Sequence, residues 1–569
     1  MCGILLVVSK NKVDKKKCLK SQKFIKSRGP DKINFRFLLN NKIFLSNSIL
    51  SITGKLSQKN KISSSKSKNY HLIFNGEIFN WKILSKKYKL EFAKNDSDLL
   101  INLFDKIERN RVPKVINGMF AYCVYSQKSK KIYISTDVQG EKKLFYFYNK
   151  DLFILSSNIN AILSYIKKDN LNYELIDNYM NSRHFIFYDD TIYKNIKILR
   201  PGYNWTFCLK NFSFRKKIYD NPVNWISKTK YEINKRKGPK DIIKDINDDL
   251  KIQASMMIPE TKFASILSGG IDSSLQTAII GNFKKPNTVA GLNHVKKDKV
   301  ADKINLFEKF LRRKIIKINL RKSDYLKDII KCYKISCMPF LTHDFVGKYQ
   351  ISKYFKKFKN KVFFSADGVD ELLGGYAAYK EINWNDTKNN SPYTKVKIDT
   401  NLKYKIDKLW NKVFKRYNSF LNKKDSCIQA TLFTDYFIQS IYVGNIGTDI
   451  MCSYNGIEPR NIFIQKNIIK KFINLPVKYK INLSEKDKKY NLKYLLKKIF
   501  IKYYSPNLIF KKQGFSGFPN DSRELLKNNN YKFVNKCLNT NNLKLDKANE
   551  WKLLNLELFL KVNSNKIIF

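Results

Sequence analysis

Histidine is nearly missing from this chain: 569 residues hold four, His71, His184, His294 and His343. A Cys–His relay or a histidine-rich metal centre therefore has few candidates. The nine cysteines, at positions 2, 18, 123, 208, 332, 337, 427, 452 and 537, form no CxxC pair or metal cluster, which suits buried thiols in a reducing compartment. No run of about 18 apolar residues occurs, and Met1 is followed at once by Cys2-Gly3, where a signal peptide would place a basic region and an apolar core. The expectation is an unexported, cytoplasmic protein without a membrane span. Acidic residues are the scarcer charge, 48 against 109 basic ones, for a formal charge of +61. Such an excess raises nucleic acid as a partner. The lysines, however, are spread over nearly every segment among Asn and Ile, and no nucleic-acid module is visible, so no specific nucleic acid is expected.

Core material is plentiful. A hydrophobic fraction of 43%, with 40 Phe and 33 Tyr, makes disorder a poor reading of the whole chain despite its lysine content. The length exceeds one ordinary core, so two major domains are expected.

With Met1 removed, Cys2 would carry both a thiol and the α-amine, whose reference pKa of about 8 lets it act as a base at neutral pH. Residues 3–8 read as a buried strand anchoring that terminus, and Ser27-Arg28-Gly29-Pro30-Asp31 as a turn after a helical pattern over 15–25. A strand over 70–74 runs into Asn75-Gly76-Glu77-Ile78-Phe79-Asn80. Asn-Gly is the commonest hairpin signal; it could equally set an amide and a backbone N–H beside a thiol, as a developing oxyanion in amide hydrolysis requires. Asp96 heads an apolar helical stretch over 99–107, as a cap or as a partner for a substrate ammonium. Further strands over 118–125, 131–135, 144–148 and 152–156 imply stacked, mainly antiparallel sheets and an α+β domain.

Cys2-Gly3, Arg28-Gly29-Pro30-Asp31, Asn75 to Asn80, Asn95-Asp96-Ser97, Gly118-Met119-Phe120-Ala121 and Asp137-Val138-Gln139-Gly140-Glu141-Lys142 together resemble the successive motifs of the N-terminal-nucleophile glutaminase domain of asparagine synthetases. The resemblance implies Cys2 as nucleophile, Asn75 and Gly76 as the oxyanion hole, and Glu77 and Asp96 as contacts to bound glutamine. One position departs from the family pattern: the arginine that grips the glutamine α-carboxylate is here Ile49. An apolar residue makes no salt bridge, so either Arg28 or a nearby lysine substitutes, or glutamine binding is weak.

Residues 201–240 read as a junction of turns and charges, followed by a helix over 241–254. Then a strand over 262–267 leads into Ser268-Gly269-Gly270-Ile271-Asp272-Ser273-Ser274 and a helix start. Glycines permit close backbone approach, hydroxyls donate to phosphate, and a helix N-terminus favours anions. The spacing is neither a P-loop nor a dinucleotide fingerprint. It closely resembles the pyrophosphate loop of ATP pyrophosphatases, which cleave ATP between the α and β phosphates to adenylate a substrate. A strand over 361–364 delivers Ser365-Ala366-Asp367-Gly368-Val369-Asp370-Glu371, three carboxylates within five residues, whose repulsion bound magnesium can offset. In the asparagine synthetase family the matching segment binds magnesium pyrophosphate. The resemblance implies Asp367 as the acid assisting ammonia attack, Asp272 and Asp370 as magnesium-linked carboxylates, and Ser268, Gly269, Gly270, Asp272, Ser273, Ser274 and Lys493 as the ATP and pyrophosphate site. Later echoes are Asp449, Met451, Ser453, Glu458 and Arg460, interrupted by Asn455-Gly456, the Lys493/Lys497 pair, and Lys511-Lys512-Gln513-Gly514-Phe515.

The resemblance covers roughly residues 2–520. It implies a glutaminase domain over 2–200, the junction over 201–240, an α/β synthetase domain with a mostly parallel sheet over 241–525, and an extension of unassigned role over 526–569. The implied activity is glutamine-dependent, ATP- and Mg2+-requiring amidation of aspartate. Another carboxylate, such as a surface-polysaccharide uronic acid, is the alternative acceptor, because residues 336–344 lack the acidic residues the family places before the proline. A homodimer is compatible with the sequence.

Overall fold

The computed structural model describes residues 2–53, 62–182, 188–292, 300–312, 314–319, 325–340, 344–380, 401–510, 531–538 and 547–569. His184, His294, His343 and the 511–515 motif lie outside the described residues.

In chain order the strands are β1 (Gly3–Ser9), β2 (Lys32–Leu38), β3 (Ile43–Ile49), β4 (Ser63–Ser64), β5 (Tyr70–Ile78), β6 (Gly118–Ser126), β7 (Lys131–Thr136), β8 (Phe145–Tyr148) and β9 (Leu152–Ser156). They continue with β10 (Asp169–Asn170), β11 (Ile196–Ile198), β12 (Tyr203–Cys208), β13 (Ser213–Ile218), β14 (Phe263–Ile266), β15 (Asn287–Leu292), β16 (Ile316–Asn319), β17 (Val362–Phe364), β18 (Glu458–Arg460) and β19 (Ile567–Ile568).

Two six-stranded antiparallel sheets, ordered β11-β8-β9-β1-β3-β2 and β13-β12-β7-β6-β5-β4, form the N-terminal half. Their stacking follows from period-2 alternation. In β1, Ile4, Leu6 and Val8 join Ile73, Cys123, Ile134 and Phe207 in the core between the sheets. Leu5 and Val7 enter the larger core with Leu72 and Phe74. Because both faces are covered, β1 reads as an unbroken apolar run. Residues 203–218, inside the stretch expected to be a junction, form the β12–β13 hairpin, paired to β7. Trp205 and Phe207 give it an inward face.

A five-stranded parallel sheet ordered β16-β15-β14-β17-β18 carries the C-terminal half. From β14 the chain builds outward through β15 and β16, then returns to place β17 and β18 on the other side. Such a sheet opens a crevice at the carboxyl ends of the strands where the order reverses, here between the loops after β14 and β17. The helix Pro239–Met257, with Pro239 in its first turn, and the helix Ile271–Gly281 pack beside it. The helix Lys547–Asn563 contacts the helices Tyr325–Ser336 and Tyr173–Ser182, and β19 pairs in parallel with β10. Among the described residues no helix is long and apolar enough to cross a membrane.

Candidate active sites

Cys2 stands at the head of β1. Burial pushes its thiol above the usual range, against the N–H of Leu50. The Asn47 amide, turned so that its nitrogen donates, joins the carbonyls of Gly3 (3.0 Å) and Phe74 (3.1 Å), tying β1 to β5. Asn75 and Gly76 are not a hairpin turn. They lie inside β5, opposite Ala121 and Phe120 of β6, because the ladder with β6 runs on unbroken to Ile78. Gly76 has φ +147°, and a Cβ there would overlap the Met119 carbonyl and Phe120 Cα, so only glycine fits. Asn75 is fully buried, yet its side-chain nitrogen and oxygen have no hydrogen-bond partner among the described residues. An orphaned buried amide is costly, and an oxyanion is the kind of group that satisfies it.

Glu77 and Asp96 lie beyond. Asn95 caps the helix Asp96–Lys106, accepting from the Asp98 N–H. Asp96 instead accepts from the N–H groups of Ile78 (3.1 Å) and Ser97 (2.8 Å). Burial pushes Asp96 well above the usual carboxylate range, with Glu77 adding to it. Burial also raises Glu77, opposed by Arg460. Glu77 accepts from Thr53, and the Arg460 guanidinium of β18 approaches it at 3.3 Å while bonding Glu458 at 3.0 Å. The C-terminal half thus supplies a cation to this site.

Arg28 does not stand free to replace the missing arginine at position 49. It is buried, donating to Asp449 (2.7 Å), Ser453 (2.7 Å) and the Cys2 carbonyl (3.2 Å). Lys142 approaches the same Asp449 at 3.8 Å. Nor does His71 serve Cys2: its ring nitrogens meet Ser64 and Gln127.

At the second site, Ser268 to Ser274 wrap the start of the helix Ile271–Gly281. Ser273 Oγ accepts from the Ser268 N–H (3.1 Å) and meets its hydroxyl (2.9 Å). Ser274 is fully buried with its hydroxyl unpartnered among the described residues. Lys493, at φ +50° before the helix Tyr494–Phe500, places its ammonium between Asp272 and Asp370, 2.6 Å from the latter. Burial pulls this lysine down, but the two carboxylates hold it above the usual range. A Cβ on Gly375 would overlap both Asp370 and the Lys493 stem, so a larger residue there would push the two side chains from this arrangement. Lys497 turns to the Lys489 carbonyl, and burial with Lys493 lowers it to about 8. Among the described residues no group of three or more His, Cys, Asp or Glu could hold a metal.

Asp367 lines a pocket with Glu141, Lys142, Ser365, Asn445, Thr448, Arg460 and Asn461, drawn from both halves. Thr448 Oγ1 donates to Asp367 Oδ2 (3.3 Å) and Lys348 Nζ approaches the same oxygen at 3.5 Å. Sequence reasoning passed over Lys348, although Asp344 four residues earlier marks a helical ion pair. Asn455-Gly456 is a turn in which Gly456 packs on Pro30 of the other half.

The two sites define a class: a glutamine amidotransferase domain joined to an ATP-pyrophosphatase-type ligase domain. The family profile described as "Glutamine amidotransferase domain" matches residues 1–219, and that described as "Asparagine synthase" matches 253–562. The chain belongs to the asparagine synthase family. It is 28% identical to a putative asparagine synthetase [glutamine-hydrolyzing] 2 of Methanocaldococcus jannaschii, over 67% of this chain and 76% of that protein. It is 24% identical to the asparagine synthetase [glutamine-hydrolyzing] of Mus musculus, over 66% and 67%. Among solved structures, the glutamine phosphoribosylpyrophosphate amidotransferase from B. subtilis is 10% identical, with a TM-score of 0.28, over 50% of this chain and 65% of that one. That fit is too loose to carry an argument.

Proposed function

We propose that the protein is a glutamine-dependent asparagine synthetase. The Cys2 thiol attacks the glutamine amide, the Asn75 amide and the Gly76 N–H hold the oxyanion, and Glu77 and Asp96 hold the ammonium end of glutamine. At the second site the Ser268–Ser274 loop and Lys493 grip the ATP phosphates while the aspartate side-chain carboxylate is adenylated. Ammonia then displaces AMP with Asp367 taking the proton. The observation that carries this reading is the orphaned Asn75 amide in the strand tied to β1, in a chain whose other half bears the Asp272–Lys493–Asp370 cluster.

Magnesium fits that cluster. The Lys493 ammonium already occupies a cation position between two hard oxygen donors, and a pair of carboxylates supplemented by phosphate oxygens is a usual Mg2+ environment. Asp272 and Asp370 would hold the ion, which neutralises charge on the leaving pyrophosphate.

The test supplies ATP, aspartate and glutamine labelled at its amide nitrogen. Matched yields of AMP, pyrophosphate and amide-labelled asparagine are expected, and ADP in their place overturns the ATP assignment. Replacing aspartate by a uronic acid tests the other acceptor. Cys2→Ala should lose synthesis from glutamine and keep synthesis from ammonium; undiminished glutamine use removes Cys2 as nucleophile.

A further inference from the structure

We infer that Lys348 is a positioning residue for amide formation, acting by pinning one oxygen of Asp367 so that the other faces the pocket. This rests on the proposed role of Asp367. Lys348 lies in the first turn of the helix Phe345–Lys357 and is mostly buried, its ammonium 2.7 Å from Asp344 and 3.5 Å from Asp367 Oδ2. Burial alone would lower it, but the two carboxylates hold it above the ordinary lysine range, so it is a fixed cation. Thr448 Oγ1, on the helix Asn445–Ser453, lies 3.3 Å from the same Oδ2, and its single proton is shared between that oxygen and the Gly444 carbonyl at 2.9 Å. The Asn461 amide fixes the Asp367 backbone carbonyl at 2.6 Å. Lys348 and Thr448, from different helices, both approach this one oxygen of a half-exposed carboxylate, and in the proposal Oδ1 is the oxygen that serves the pocket Asp367 lines.

The chemistry that Oδ1 serves is one step. Nitrogen of ammonia attacks the acyl carbon of the adenylate, the C–N bond forms, and the C–O bond to AMP breaks with its electron pair leaving on AMP. The proton that nitrogen sheds passes to Oδ1. A carboxylate free to rotate would present either oxygen at variable distance, and small misplacements cost large factors in rate. Adenylation, which occurs before ammonia arrives, needs none of this.

The experiment compares Lys348→Met, Lys348→Arg and Thr448→Val with the unaltered protein, using aspartate, ATP and ammonium chloride. Two rates are read: aspartate-dependent exchange of pyrophosphate into ATP, and amide formation at saturating ammonium. Lys348→Met and Thr448→Val should each lower the maximal amide rate by about tenfold or more, with exchange and the apparent affinity for ammonium preserved, and Lys348→Arg should recover most of the loss. Thr448→Val carries the test if Lys348→Met proves too unstable to purify. Equal loss of exchange and amide formation would make Lys348 merely structural and overturn the inference, as would unchanged amide rates. If the unaltered protein exchanges no pyrophosphate with aspartate, it is the functional reading that fails, and the inference with it.

Discussion

At the Cys2 site the carboxylates Glu77 and Asp96 are enclosed by paired strands and helix ends, and burial pushes both above the ordinary range. At the Asp272–Asp370 site the carboxylates stand in the first turns of the helices Ile271–Gly281 and Val369–Leu373, beyond the ends of parallel strands, with a lysine ammonium between them. The first site is shaped by backbone that cannot give way, down to a glycine at φ +147° and a buried side-chain amide without a hydrogen-bond partner among the described residues. The second is shaped by charge, two carboxylates held together by one lysine ammonium. The first therefore suits recognition of one neutral amide, and the second a highly charged nucleotide. They are joined across the boundary by Arg28–Asp449 and Glu77–Arg460.

The largest expected effect breaks the second site alone. Lys493→Met leaves Asp272 and Asp370 facing each other without their cation, and AMP formation should fall roughly 10²–10³-fold, as when one donor to a developing charge is removed. Glutamine hydrolysis should persist; its loss in parallel would mean that the two sites do not stand on separate frames. Next in size is Arg460→Met, which strips the cation from buried Glu77 and Glu458. Breaking a buried pair costs about 3–5 kcal/mol, to be read by denaturant unfolding, and glutamine hydrolysis should weaken although the residue belongs to the other half. Hydrolysis at the native rate would show that the synthetase half only abuts the glutaminase site.

The third prediction sharpens the comparison at position 49. Since Arg28 is committed to Asp449, Ser453 and the Cys2 carbonyl, the glutamine α-carboxylate lacks the grip that the resemblance calls for. A charged hydrogen bond contributes about 1.5–3 kcal/mol, and about 1.4 kcal/mol is tenfold in affinity. Ile49→Arg should therefore lower the apparent KM for glutamine by roughly 10- to 100-fold. An unimproved KM would point to a basic residue outside these contacts that already serves.

Much of this was legible in the chain because its signals are local. The Ser268–Ser274 loop between a strand and a helix, and the acidic run after another strand, are contiguous motifs whose reading comes from their resemblance to the family's segments. The β5 strand was cut short at Phe74 because Asn-Gly carries a strong turn preference, which pairing with β6 overrides. The capping role suggested for Asp96 belongs to Asn95, a one-residue slip that propensity cannot resolve. Partners distant in sequence were out of reach: Arg460 with Glu77 and Arg28 with Asp449 across the domain boundary, and Lys348 with Thr448 about Asp367 within the second half, are separated by many residues, and in a chain with 109 basic residues no single one is conspicuous. Residues 203–218 looked like a linker because β13 is an edge strand whose outer residues are exposed and basic.

The last prediction, read in stability and not in rate, concerns Lys143, which follows Lys142 into the domain boundary. Its side chain is buried, lies 5.2 Å from the Tyr442 ring, and has no hydrogen-bond partner among the described residues. Burial lowers it from the ordinary 10.5 to about 7, against the pull of Asp137 and Asp449. A depressed lysine favours folding fully only above the unfolded value, near 10.5, and that contribution is lost as pH falls toward 7, because the unfolded chain takes up the proton and the buried amine resists it. Lys143→Met keeps the volume and removes this dependence. The variant should therefore be more stable than the native chain near neutrality, with a margin that shrinks by at most about 1.4 kcal/mol per pH unit as pH rises. Urea unfolding at a series of pH values from neutral to mildly alkaline measures that slope. A margin that stays constant with pH would mean the Lys143 amine is charged and paired in the folded protein, and the boundary would then hold its buried charge as the Asp272–Lys493–Asp370 site does.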